Sequence, residues 1–340
     1  MKTKIKNDSN VPIKKSKFKI ILSVIICIII LITIVNQITV YPFMYVFRAF
    51  INSVPEQVRI GPYSDRIINV NESETIEIPV KDYSNAKITI YSPSQEYESL
   101  PLILYIHGGG WSVGNAKAVS SYAKLLASNG YIVANLDYSL APEYPYPTST
   151  MQIIDTLNYL YENAATYKID NTKIFIGGNS AGAHLSSQVG AIISNQDFAK
   201  EVGANIVFSS ENIRGLLLYN GVYNFDTVGD CNFPGLNKLA WSYTGKKNYL
   251  KYERIDQLSS IKHITKNYPA TFITVGDADP LEPQTYEFVE ELKNKNIDCT
   301  SLFWTDTNSN LNHDYIYELQ TKEGQKAYEM TVKFLNEHSK

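Results

Sequence analysis

The sequence predicts an α/β fold in which a mostly parallel sheet is flanked by helices and preceded by one membrane-spanning helix. Three features carry this expectation. Short apolar runs alternate with helix-length segments along 66–340, a glycine-flanked serine sits where one such run meets a helix, and an uncharged stretch at 20–35 follows a lysine-rich N-terminus. A composition of 44% hydrophobic and 19% charged residues suits a folded core rather than a disordered chain. The net charge of -3 and a pI near 6.0 give no reason to expect a nucleic-acid partner.

Lys2, Lys4, Lys6, Lys14, Lys15, Lys17 and Lys19 precede the run at 20–35, and the weakly polar continuation to Val40 brings it to bilayer-spanning length. The run is apolar on all sides, unlike a core helix, which keeps one polar face. A cleavable signal peptide would end in a small-x-small site, and Asn36-Gln37-Ile38-Thr39-Val40 provides none. The lysines keep the N-terminus in the cytoplasm and export the rest. The expected layout is therefore a basic cytoplasmic tail at 1–19, an anchor at 20–40, a linker or lid segment at 41–65 and a catalytic domain at 66–340. The aromatic and proline-containing stretch at 41–65 can serve as a linker, a membrane-surface helix or part of a lid.

Strands are expected at 67–70, 75–80 and 87–91, the last two with period-two alternation. The apolar runs at 102–106, 131–136, 173–176, 215–218, 270–275 and 300–304 have the length of strands covered on both faces. Helices are expected at 117–129, 148–165, 182–195, 284–296 and 322–338, and this alternation implies parallel strands joined by crossover helices. The irregular stretch 222–266 is longer than an ordinary connection and reads as a cap region or a pair of lid helices. Of three cysteines, Cys27 lies in the apolar stretch, so Cys231 and Cys299 form the one conceivable bridge. Their spacing matches no metal site.

Gly178-Asn179-Ser180-Ala181-Gly182 follows the strand at 173–176 and opens a helix. In that setting Gly-x-Ser-x-Gly is a nucleophile elbow, which pushes the serine hydroxyl clear of the backbone. The amide of Ala181, next after the serine, is placed to help hold an oxyanion there. His107-Gly108-Gly109-Gly110-Trp111 follows the strand at 102–106. Three glycines are costly to order, and a loop whose amides must approach a bound group explains them. No Gly-Lys-Ser/Thr or G-x-G-x-x-G pattern points instead to a nucleotide. In the chain order serine, acid, histidine, the base must come late, and His313 alone lies in the loop after the last strand; His338 falls in the terminal helix. Asp277 and Asp279, both at the carboxyl end of the strand at 270–275, are the acid candidates, and spacing does not choose between them.

With these residues in view, the chain resembles the hormone-sensitive-lipase-like branch of the α/β-hydrolase esterases, which includes arylacetamide deacetylases and bacterial acetyl esterases. The resemblance covers roughly 85–338. It rests on His107-Gly108-Gly109-Gly110-Trp111, Asp137-Tyr138-Ser139-Leu140-Ala141-Pro142-Glu143, Gly178-Asn179-Ser180-Ala181-Gly182, Asp279-Pro280-Leu281 and His313-Asp314-Tyr315. It implies an α/β-hydrolase fold with a cap, Asp279 as the triad acid because it precedes Pro-Leu, and Gly109 and Gly110 as oxyanion donors beside Ala181. Three departures from the family pattern concern its surroundings: Asn179 where an acidic residue is usual, Ser139 where an arginine is usual, and Glu282-Pro283 after Asp279-Pro280-Leu281.

The expected chemistry is acyl transfer from an ester by Ser180, His313 and Asp279, with no metal and no organic cofactor. The expected substrate is a small or short-acyl ester. An amide or an O-acetyl group on a surface glycan uses the same triad, and a silent hydrolase-like binding protein is the reading from another class. His107, Glu143 and His184 read as structural residues that brace the loops and the helix around the serine.

Overall fold

The computed structural model describes residues 13–51, 53, 57–305 and 307–340. Lys2, Lys4 and Lys6 of the basic tail lie outside the described residues. The helices are α1 (Ile13–Ile38), α2 (Tyr41–Ile51), α3 (Ser120–Ala127), α4 (Thr148–Glu162), α5 (Ala164–Tyr167), α6 (Ala181–Ser194), α7 (Gln196–Val202), α8 (Leu236–Thr244), α9 (Ile255–Leu258), α10 (Glu282–Asn294) and α11 (Lys322–His338). The strands are β1 (Val70–Glu72), β2 (Ile76–Ile78), β3 (Ala86–Pro93), β4 (Leu100–Ile106), β5 (Ile132–Asp137), β6 (Ile169–Asn179), β7 (Ile213–Tyr219), β8 (Thr271–Thr274) and β9 (Cys299–Leu302).

They form one sheet in the order β1-β3-β5-β4-β6-β7-β8-β9, with β2 also paired to β3. Every pairing from β5 through β4 to β9 is parallel, whereas β1, β2 and β5 each meet β3 antiparallel. Successive residues of a strand face opposite sides, so β4 feeds two cores. Leu102, Leu104 and Ile106 pack with Ile153, Leu157 and Val189 from α4 and α6. Ile103 and Tyr105 pack with Tyr122, Ala327 and Phe334 from α3 and α11.

The strand expected at 67–70 is the main correction. Residues Gly61–Arg66 form a 3-10 helix and the chain turns before only Val70 enters β1. Pro62 just inside a short helix and the polar residues Ser64 and Asp65 favour local turns over an edge ladder. The pair of lid helices at 222–266 is also corrected. One nine-residue helix, α8, is accompanied by the single-turn α9 and three 3-10 turns. The three cysteines are free, so Cys231 and Cys299 are not bridged.

α1 contains the 21-residue apolar segment Phe18–Ile38, in which an 18-residue stretch has a mean hydropathy of 3.1 and is unburied. At 1.5 Å per residue this is roughly 31 Å, the thickness of a bilayer core. Its last turn is held by the cap: Lys238 Nζ donates to the Asn36 carbonyl at 2.7 Å and Lys247 Nζ to the Gln37 carbonyl at 2.8 Å. Both ammonium groups also sit over the Trp241 ring, at 4.7 and 5.8 Å. Carbonyls that end a helix lack intrahelical partners, and lysine is suited to cap them.

Candidate active site

The candidate residues lie in loops that follow the carboxyl ends of strands, where an open α/β sheet leaves its ligand crevice. β6 ends at Asn179, and Ser180 is the next residue, with φ 52° and ψ -118°. A non-glycine residue held at positive φ at a strand-to-helix turn is strained, and the neighbours must enforce it. The flanking glycines explain how. A Cβ on Gly178 or Gly182 would lie 2.1 or 2.0 Å from the Ile106 carbonyl oxygen, so only glycine lets the turn press against β4. The Ser180 amide donates to the Tyr219 carbonyl at 2.7 Å, which ties the turn to β7 as well.

After β4, Gly109 and Gly110 take φ values of 115° and 54°. The Gly109 carbonyl accepts from the amides of Ser112 and Val113, which closes the loop into a tight turn. Gly109, Gly110, Ser180 and Ala181 line one apolar cavity of about 90 Å³ with Phe47, Val222, Phe233, Leu236, Leu239 and Leu281. The structure therefore gathers the serine and the three expected oxyanion donors around a single space.

Asp279 follows β8. Its Oδ2 accepts from His313 Nδ1 at 2.8 Å and from Asn220 Nδ2 at 2.6 Å, and its Oδ1 accepts from the Leu281 amide at 2.9 Å. Burial opposes its charge, but these bonds outweigh that and hold the carboxyl below its usual range. Asp277 does something else: it accepts from the amides of Leu311 at 2.7 Å and Asn310 at 3.2 Å and so fixes the loop that carries His313. Asn220, at φ 55° after β7, is a partner that sequence reasoning did not single out.

Among the described residues, Ser180 Oγ and His313 make no direct hydrogen bond. They are linked through Phe233, whose ring meets the His313 ring edge-on at 4.9 Å and also lines the Ser180 cavity. Catalytic hydrogen bonds are often long until substrate closes the site. A second link runs through their neighbours. Asn179 Oδ1 accepts from the Gly108 amide at 2.8 Å, while Asn179 Nδ2 donates to Asp314 Oδ1 at 3.0 Å. Burial works against a charged His313, yet the Asp314 carboxylate and then Asp279 outweigh it and push the imidazole up to about 9.

A family model described as BD-FAE matches residues 88–293, well over half of the chain. The chain belongs to the BD-FAE family. The matched segment contains the glycine loop, the elbow and Asp279, while His313 lies beyond it. The chain is 37% identical over 101 residues to the carboxylesterase NlhH of Mycobacterium tuberculosis, covering 29% of this chain and 32% of that protein. It is 27% identical over 222 residues to an acetyl esterase of Salmonella schwarzengrund, covering 62% and 64%. The chain thus spans less than two thirds of the length of these curated relatives. Among solved structures, esterase B from Lactobacillus rhamnosis superposes with a TM-score of 0.74 at 18% identity, over 89% of this chain and 96% of that one. A bacterial heroin esterase gives 0.69 at 19% identity, over 86% and 91%. At that identity the structural likeness establishes the α/β-hydrolase fold.

Two other histidines of this BD-FAE member, His107 and His184, have structural surroundings. Buried His107 contacts the Gly108 carbonyl through Nδ1 at 2.6 Å and stacks on Tyr138 at 4.4 Å; burial lowers its pKa. His184 Nδ1 accepts from Trp111 Nε1 at 3.0 Å, so its Nε2 carries the proton donated to the Leu258 carbonyl at 2.8 Å. Burial lowers that imidazole to about 4. Glu143 pairs with Arg48 of α2, a partner that spacing along the chain did not suggest.

Proposed function

We propose that this chain is a membrane-anchored serine carboxylesterase that hydrolyses short-acyl esters through an acyl-enzyme. The observation that carries the proposal is the Asp279–His313 hydrogen bond beside an elbow serine whose cavity is walled by the glycine loop. Ser180 attacks the ester carbonyl, and His313 takes its proton. Asp279 holds the imidazole with Nδ1 protonated, which leaves Nε2 to accept, and stabilises the imidazolium that forms. The amides of Gly109, Gly110 and Ala181 hold the oxyanion, each donor worth roughly 3 kcal/mol of barrier. His313 then returns the proton to the leaving alcohol, and water repeats the sequence on the acyl-enzyme.

The size of the cavity supports a short acyl group. The cavity holds only about 90 Å³, and its walls are apolar. The long apolar α1 behind a lysine-rich terminus supports an uncleaved single-pass anchor at 20–40, with tail 1–19 inside and domain 66–340 outside. Within 41–65, α2 supports the lid reading, because Phe47 forms part of the cavity wall.

The test is hydrolysis of p-nitrophenyl acetate by the full chain in detergent. Ser180→Ala is expected to abolish both turnover and labelling by a fluorophosphonate probe. Undiminished turnover in that variant refutes the assignment.

A further inference from the structure

α2 has a face that a solvated helix does not have. Met44, Phe47 and Arg48 point into the protein, where Met44 is buried, Phe47 lines the cavity and Arg48 pairs with Glu143. On the opposite face Tyr45, Val46 and Phe50 are 60%, 73% and 69% exposed, and Ala49 is exposed between them. Arg48 is the one charged residue in the sequence of α2, so the outward face presents no charge to water. An uncharged face of aromatic and aliphatic residues suits burial at the headgroup–acyl boundary of a membrane.

Chain connectivity says which apolar phase is within reach. α1 ends at Ile38 and α2 begins at Tyr41. Three residues span at most about 11 Å, so if α1 crosses the bilayer, α2 begins at its surface. The lysine grip on the Asn36 and Gln37 carbonyls brings α8 to the same level, and α8 supplies Leu236 and Leu239 to the cavity. Helix α2 is thus a wall one helix thick, with the cavity on one side and the bare apolar face on the other.

We propose that α2 lies in the bilayer interface with Tyr45, Val46 and Phe50 in lipid, and that the site takes short-acyl esters of alcohols that partition into the membrane. This rests on the anchored-esterase reading above. The small cavity takes the short acyl group, and an alcohol with an apolar tail can remain in the surface on which α2 lies. A freely water-soluble ester gains nothing from this placement, whereas a membrane-dissolved one is concentrated at the wall of the cavity.

The experiment uses the full chain in phosphatidylcholine proteoliposomes and two acetates that share an umbelliferone core, umbelliferyl acetate and an alkyl-tailed umbelliferyl acetate dissolved in the bilayer. Wild-type protein is expected to hydrolyse the tailed ester at least tenfold faster per bulk concentration. Tyr45→Ser/Val46→Ser/Phe50→Ser is expected to lose at least tenfold on the tailed ester and less than twofold on the soluble one. Equal losses on both, no loss on either, or a wild-type preference for the soluble ester overturns the proposal. A fluorophore on Val46→Cys, in a Cys27→Ala/Cys299→Ala background, is expected to be quenched by doxyl-labelled lipid, and one on Val207→Cys is not. Absence of quenching at 46 overturns the docking even if neither ester is hydrolysed. Failure of wild-type protein to turn over either acetate, with Ser180 unlabelled by fluorophosphonate, refutes the esterase reading instead.

Discussion

Asn179 and Asp314 are joined by a 3.0 Å hydrogen bond that connects the residue before Ser180 to the residue after His313. The amide side chain suits this position because it must accept from the Gly108 amide and donate to a carboxylate at the same time. A carboxylate at 179 can still accept, but it cannot donate, and it faces Asp314 with like charge. Asn179→Asp is therefore expected to lower stability and turnover, and Asn179→Asp/Asp314→Asn to recover much of both. A double-mutant cycle on chemical denaturation is expected to give a coupling on the order of 1–3 kcal/mol. Additive effects would show that the two sites do not communicate.

The same carboxylate bears on the pH profile. In the proposed mechanism His313 must be neutral to accept the Ser180 proton, yet Asp314 and Asp279 outweigh burial and push it up to about 9. The kcat/KM for a soluble acetate is expected to rise through neutral pH and level off above about 9. Asp314→Asn removes one source of the upward push, so the midpoint moves down. Stability runs the other way. A folded pKa above the ordinary 6.5 stabilises fully below 6.5, and that contribution is lost as pH rises through about 9. Activity against pH for both proteins, with denaturation midpoints at three pH values, checks both signs.

His184 gives the opposite sign. Burial holds it neutral down to about 4, whereas the unfolded chain takes up the proton near 6.5. This group therefore subtracts stability as pH falls from about 6.5 toward 4 and contributes nothing to pH dependence above that window. His184→Gln is expected to flatten that acid limb. It is also expected to cost about 1–3 kcal/mol near neutral pH if the Trp111 indole or the Leu258 carbonyl is left without its partner. Denaturation curves of both proteins between pH 4 and 7 give the comparison.

The central strands were legible in the sequence because both faces of the sheet are covered. The unbroken runs Leu102–Ile106 and Ile174–Ile176 each feed two cores, and a strand covered on both faces is apolar throughout. Chain order also pointed to His313, and the fold places it against Asp279. The edge was harder to read: β1 has three residues and one side of its ladder open, so little in its composition separates it from a turn. Partners distant along the chain were not legible at all. The Tyr105 and Tyr317 hydroxyls meet at 2.7 Å inside the second core, and Asn220 reaches Asp279 across neighbouring loops. Both pairings depend on how the tertiary fold brings distant segments together, which no local pattern encodes.

Arg48 tests whether α2 belongs to the site. Its guanidinium donates to both Glu143 oxygens, at 2.9 and 2.6 Å, to the Ser112 carbonyl at 2.6 Å and to the Ala141 carbonyl. Burial opposes the Glu143 charge, and Arg48 nevertheless holds that carboxyl below its usual range. One side chain thus fastens α2 to the loop after the glycine turn and to the loop after β5. Arg48→Met keeps the apolar stem but removes every one of these bonds, at a cost of about 1–2 kcal/mol for a partly exposed pair. Because Phe47 is the next residue and walls the cavity, loosening α2 is expected to raise KM for short acetates several-fold, with kcat within about threefold of wild type. Arg48→Lys retains the charge but not the planar fork, so an intermediate KM is expected. Steady-state kinetics on the three proteins decide it, and an unchanged KM in Arg48→Met would remove α2 from the cavity wall.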